Sequence, residues 1–130
     1  EIVFGVDTSE RSISFSSNSY SDSNLLFLLG DGYDLPFPDN YFDLITCFEV
    51  IEHINTPNSF LNECNRVLKP KGLFLCSTPN KRFHSGYWPK PLNYFHYQEF
   101  NMEDFYTLMS STWQQLPFLF YRQHLIVRGT

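Results

Sequence analysis

The sequence predicts an α/β domain built on a largely parallel sheet. Three observations carry that expectation. Four apolar runs of four or five residues lack the alternation of a half-buried strand, and unbroken runs of this length are typical of strands covered on both faces. Each run ends in a polar or glycine-bearing segment, where α/β domains place their ligands. Between the third and fourth runs the pattern reads strand, helix, strand, which is a βαβ unit.

Ile2–Val6 is the first run and ends at Asp7. A helix belongs after it, yet Ser12–Asn24 holds seven serines and little periodicity, so no helical stripe can be drawn. Leu25–Leu29 is the second run and leads into Gly30-Asp31-Gly32; Leu35-Pro36-Phe37-Pro38-Asp39 then reads as a rigid connection. Leu44–Phe48 is the third run, and the clearest helix follows it. Thr56 is placed to cap that helix and Pro57 to open it, while Phe60, Leu61, Cys64, Val67 and Leu68 form one apolar stripe. Lys69-Pro70-Lys71-Gly72 should stop the helix and turn the chain into the fourth run, Leu73–Cys76. A second helix is expected over Met102–Ser110, with Phe105, Leu108 and Met109 on its buried face, and His124–Arg128 reads as a closing strand. Residues 83–106 hold nine aromatics, with Pro89 and Pro91 among them. So many rings in loop-like sequence point to a lid or acceptor-pocket wall, assigned to 81–100.

At 130 residues the chain has the length of a single domain, 1–130. Its 42% hydrophobic and 18% charged residues are ordinary globular composition and argue against a disordered tail or a coiled coil. No apolar run approaches the roughly 20 residues of a membrane span, and Glu1–Asp7 lack the features of a signal peptide, so a cytoplasmic protein is expected. The net charge of −5 is uneven: residues 1–65 carry 11 acidic and 1 basic side chain, residues 66–130 carry 3 and 8. The overall acidity argues against nucleic acid as the main partner and leaves open a local basic rim. Cys47, Cys64 and Cys76 show no CxxC spacing and are expected to be buried free thiols.

An acid at the carboxyl end of an early strand suits a nucleotide-type ligand, because a carboxylate can accept from both ribose hydroxyls; Asp7 is so placed. Asp31 offers a second acceptor, suited to the exocyclic amine of a base, and Gly32 permits close backbone approach. An ordinary surface aspartate and an ordinary turn remain the alternatives. Started as a helix, Glu49-Val50-Ile51-Glu52-His53 puts Glu49, Glu52 and His53 on one face. There they can orient a general base or ligate a divalent cation; glutamates favouring a positive helix end explain them too. His96, set among aromatics, is a further candidate, whereas His84 and His124 are expected to be incidental.

In order and spacing these segments resemble the class I methyltransferases that use S-adenosylmethionine. The likeness runs through Gly5-Val6-Asp7-Thr8-Ser9, Gly30-Asp31 with Leu35-Pro36-Phe37, Phe42-Asp43-Leu44-Ile45, Glu49 to His53, Arg66 to Gly72, and Ser77-Thr78-Pro79-Asn80. The resemblance implies a Rossmann-like sheet, mostly parallel with an antiparallel C-terminal strand, and S-adenosyl-L-methionine as cofactor. It implies that Asp7 holds the ribose, Thr8 lies against the adenine, Asp31 and Gly32 read the adenine edge, and Phe48 lies by the methionine part. His53 would act as the catalytic base on a small-molecule acceptor such as a sugar or a quinone. Pro91-Leu92-Asn93 with His96 and Glu99-Phe100 resembles the lid of bacterial members that act on small metabolites. Glu49, Glu52, His53 and His96 are also similar to the metal site of small-RNA 3′-end ribose methyltransferases and of some quinone O-methyltransferases, which makes a divalent metal a secondary expectation. The rival classes are a non-catalytic methyltransferase-like interaction module and a metal-assisted ribose O-methyltransferase acting on RNA. A nicotinamide-dependent Rossmann enzyme is disfavoured by Leu35-Pro36-Phe37 and by the terminal strand. The family's first strand and glycine-rich loop precede the segment that begins at Glu1. The sheet is therefore expected to be truncated at its N-terminus, and the isolated 130 residues to rearrange it or to form a homo-oligomer.

Overall fold

The computed structural model describes residues 1–113 and the backbone of Phe118–Tyr121 and His124–Arg128. It divides into two compact units, Glu1–Phe37 and Pro38–Thr130.

In the first unit, β1 (Val3–Asp7), α1 (Glu10–Ser19) and β2 (Leu25–Leu29) make one βαβ motif. The strands are parallel, paired from Val3–Leu25 to Asp7–Leu29. Gly5 faces Phe27 in this register, and a Cβ there would stand 2.7 Å from the Phe27 ring. The missing side chain lets the ring lie over the neighbouring strand. The helix that the sequence left undrawn is present, and it begins ahead of the serine-rich stretch. Ser9 caps it, its Oγ accepting from the Ser12 N–H at 3.2 Å. Ser12, Ile13 and Ser16 are half-buried while Phe15 is exposed. Short serines at i and i+4 pack as the inner face, which conceals the stripe from any reading of hydrophobic periodicity. Val3, Leu26 and Leu29 are exposed, contrary to the expectation of strands covered on both faces. One helix cannot cover both sides of a two-stranded sheet.

In the second unit the sheet order is β3-β4-β6-β5, from β3 (Phe42–Phe48), β4 (Leu68–Pro79), β5 (Phe118–Tyr121) and β6 (His124–Arg128). β3 and β4 are parallel; β6 runs antiparallel to β4 and to β5. The closing strand is thus antiparallel as expected, and it pairs with a further strand, β5, beyond those expected. As the edge strand, β3 leaves Leu44 and Phe48 exposed.

α2 (Pro57–Val67) buries Phe60, Leu61, Cys64 and Val67, the expected stripe. Two details differ from expectation. Thr56 occupies the N-cap without a side-chain capping bond, and Leu68 already belongs to β4. Lys69–Gly72 lies inside that 12-residue strand, where the register steps from Phe42–Leu68 to Leu44–Leu73 and Lys71 takes φ 68°. A bulge absorbs the extra residues in place of a turn. A short helix, α3 (Lys81–His84), precedes α4 (Met102–Thr112), which buries Phe105 and Met109 and half-buries Leu108 as expected. Phe74 is fully buried, its ring stacked on Trp113 at 4.6 Å. Cys47, Cys64 and Cys76 are buried free thiols. Burial pushes the Cys64 thiol up, and hydrogen bonding with Cys47 together with burial does the same for Cys76, so neither is a ready nucleophile. No helix among the described residues is long and apolar enough to cross a membrane.

Candidate functional site

In the first unit the carboxyl ends of β1 and β2 bring Asp7, Thr8, Asp31 and Gly32 together. Asp7 pairs with Leu29 across the ladder, and the Gly30 N–H donates to the Asp7 carbonyl at 3.1 Å. Asp7 Oδ1 accepts from the Ser9 N–H at 2.8 Å, and Asp31 Oδ1 from the Tyr33 N–H at 2.9 Å. Each carboxylate thus spends one oxygen on ordering its own turn. Both side chains are exposed, and among the described residues their second oxygens have no partner. Two neighbouring carboxylates, each with an open oxygen, suit a ligand rich in hydroxyl and amine donors.

In the second unit Phe48 ends β3 with its side chain exposed, and the chain then turns sharply. The helix expected from Glu49 does not form. Glu49 takes φ 55° and only Ile51–His53 closes a single 3₁₀ turn. Glu49 is thereby turned off a shared helical face, its Oε1 accepting from the Ser77 hydroxyl at 2.6 Å. Glu52 is buried and its Oε2 accepts from the Thr78 hydroxyl at 3.0 Å. Burial pushes the Glu52 carboxyl up; hydrogen bonds from the backbone and Thr78 offset part of this, and the Glu49 charge adds to it.

His53 Nδ1 lies 2.8 Å from the Phe95 carbonyl oxygen. A carbonyl only accepts, so Nδ1 carries the proton and Nε2 of the neutral ring keeps its lone pair. The same turn holds the 81–100 segment at three more points. The Tyr97 and Gln98 N–H groups donate to the Glu52 carbonyl at 2.9 and 3.4 Å, and Gln98 Nε2 donates to the Ile54 carbonyl at 3.1 Å. His96 stands edge-on to His53 with ring centres 4.9 Å apart. Asn93 fixes its tautomer. Asn93 Oδ1 accepts from the Phe95 N–H, so Nδ2 faces His96 Nε2 at 3.0 Å and donates to it. The His96 proton is therefore on Nδ1, which donates to Glu99 Oε1 at 3.0 Å.

Glu99 is the buried hub that the sequence did not reveal. Its Oε1 also receives His84 Nδ1 at 2.8 Å, which makes His84 a member of the network and not incidental, while Oε2 is buried and has no hydrogen-bond partner among the described residues. Burial pushes the Glu99 carboxyl up, but Ser85, His96 and His84 outweigh it and hold the group below the usual carboxylate range. His84, His96 and Glu99 are scattered over 16 residues with no periodic spacing, so only the fold joins them. His124 lies in β6, where the side chains are outside the described residues.

Two groups of side chains can hold a divalent cation, with ligand atoms within 4.8 Å of one another: Glu52, His53 and His96, and His84, His96 and Glu99. Glu49, expected in the first group, belongs to neither.

A family model described as a methyltransferase domain matches residues 1–76. The chain is 36% identical over 109 residues to a Mycolicibacterium smegmatis protein named "Probable S-adenosylmethionine-dependent methyltransferase", covering 84% of this chain and 42% of that one. It is 34% identical over 88 residues to a fatty-acid O-methyltransferase of the same organism, covering 68% of this chain and 32% of that one. The chain thus spans about two fifths or less of the length of these relatives. A solved S-adenosylmethionine-dependent methyltransferase structure from Thermotoga maritima matches with a TM-score of 0.76 over 97% of this chain and 72% of that one, at 21% identity, a likeness of fold.

Proposed function

The chain belongs to the class I S-adenosylmethionine-dependent methyltransferases, and from that membership we propose that it transfers the methyl group of S-adenosylmethionine to a hydroxyl oxygen of a small-molecule acceptor, with His53 taking the hydroxyl proton. One observation carries the choice of base: the Phe95 carbonyl occupies Nδ1–H and leaves Nε2 as an acceptor. When bound, the cofactor's sulfonium supplies a methyl already activated for in-line displacement. The residues of this chain then need only align the reactants and keep water out.

Asp7 and Asp31 fit the cofactor's ribose hydroxyls and adenine amine, because each keeps one carboxylate oxygen clear of its own turn. Thr8 is assigned to the adenine face, Gly32 to its edge and Phe48 to the methionine part. Residues 81–100 are assigned as the lid of a single methyltransferase domain over 1–130, a role supported by their hydrogen bonds to the Glu52–Ile54 turn. The similarity to a fatty-acid O-methyltransferase favours an oxygen nucleophile on a small apolar acceptor.

The trio Glu52, His53 and His96 supports a second, metal-assisted reading, since two imidazoles and a carboxylate suit a divalent transition metal once His96 Nε2 exchanges its hydrogen bond from Asn93 for the ion. A panel of hydroxyl and amine acceptors with labelled cofactor separates the two. With His53 as base, hydroxyl acceptors are methylated, His53→Ala slows them, and a chelator leaves turnover intact. Turnover abolished by the chelator supports the metal-assisted reading, and methylation of amines alone contradicts both.

A further inference from the structure

Residues 80–97 contain no aspartate or glutamate and three cations, Lys81, Arg82 and Lys90. A chain of net charge −5 thus concentrates +3 in eighteen residues, leaving −8 for the remainder. Among the described residues none of the three cations makes an ion pair. The same stretch displays large apolar side chains to solvent: Phe83, Tyr87, Trp88, Tyr94, Phe95 and Tyr97, with Leu92, are from 60% to 103% exposed. Isolated exposed apolar residues are ordinary, but seven in one cationic stretch mark an interaction surface.

We propose that residues 80–97 dock this protein on the anionic surface of a lipid bilayer, with the aromatic rings at headgroup depth and Lys81, Arg82 and Lys90 against acidic lipids. Tyrosine and tryptophan settle at the membrane interface because one part of the ring is apolar and the other polar. Cations beside them add attraction to acidic headgroups. Glu99, which contacts this segment, is buried and held by His84 and His96, and other charges act on the segment only within about 8–10 Å at physiological salt. A nucleic acid suits the segment less well. Phosphate recognition draws its affinity from many cations, whereas here apolar side chains outnumber them by seven to three.

The experiment is vesicle binding by the intact protein without cofactor or acceptor, so that its outcome is independent of the methyl-transfer reading. The probes are vesicles of phosphatidylcholine alone and of phosphatidylcholine mixed with phosphatidylglycerol, whose acidic headgroups give the negative surface potential that attracts basic segments. Trp88 is exposed while Trp113, the other tryptophan, is buried, so a blue shift of emission on binding reports Trp88. Acidic vesicles are expected to bind and to give the shift. Lys81→Gln, Arg82→Gln and Lys90→Gln together should weaken binding about 100-fold, near fivefold for each cation. Tyr87→Ser with Trp88→Ser should also weaken it; both side chains are exposed, so the fold is retained. No binding, equal binding to neutral vesicles, binding untouched by either set of substitutions, or tighter binding to single-stranded RNA than to acidic vesicles would overturn the proposal.

Discussion

Replacing Glu99 by glutamine tests the buried network that anchors the 81–100 segment. The variant keeps the shape of the side chain and removes its charge. The bond from His96 joins two groups whose side chains are 5% and 1% exposed, whereas the His84 side chain is 42% exposed. Hydrogen bonds to a charged group contribute about 1.5–3 kcal/mol, and a half-exposed pair at most about 1 kcal/mol. The expected loss at neutral pH is therefore about 1.5–4 kcal/mol, against a total of about 5–15 kcal/mol for a domain. The pH dependence has a definite sign. The folded-state carboxyl lies below its unfolded range, so its contribution is complete above about pH 4.5 and is lost as the pH falls through the folded value. Wild-type protein should lose stability on that acid limb, and Glu99→Gln should lose less there. Urea unfolding across a pH series measures both quantities. A variant as stable as wild type at neutral pH, with the same acid limb, would show that Glu99 holds nothing together.

His53→Ala should lower turnover by about 100-fold or more, the usual range for a positioned base, while cofactor affinity holds; equal losses in both would mark a structural histidine. Phe74→Ala should cost about 3–5 kcal/mol, because a fully buried ring stacked on Trp113 leaves a cavity. A fall of less than about 1.5 kcal/mol in urea unfolding would mean that the core closes over the gap. Ser9→Ala should cost about 0.5–2 kcal/mol through loss of the α1 cap, and an unchanged unfolding midpoint would assign the start of that helix to packing alone.

The elements that could be read from the sequence are those whose signal is carried by apolar side chains. The α2 stripe of Phe60, Leu61, Cys64 and Val67 and the α4 face of Phe105 and Met109 are of this kind. Helix α1 gives no apolar stripe because its half-buried face is made of Ser12 and Ser16 with a single apolar residue, Ile13. The helix expected at Glu49–His53 failed because periodicity says nothing about φ, and Glu49 in the left-handed region ends the run before it begins. Asp7 and Asp31 could be placed because a strand end fixes where the next polar residue stands. The partners of His96 could not: Glu99 and His84 meet it only through the path of the folded 81–100 segment. Phe95 contributes through its carbonyl, a group every residue possesses, so no side-chain pattern could have singled it out.

Calorimetric titration of S-adenosylmethionine into the intact protein and its Asp7→Ala variant tests the central claim most directly. Asp7 stands at the end of β1 with one carboxylate oxygen held by Ser9 and the other open to a ligand. Removing that acceptor should weaken binding by about 1.5–3 kcal/mol, a loss of roughly 10- to 150-fold in affinity. Unchanged affinity in a variant that remains folded would contradict the assignment of Asp7 to the ribose, and with it the cofactor site at the ends of β1 and β2.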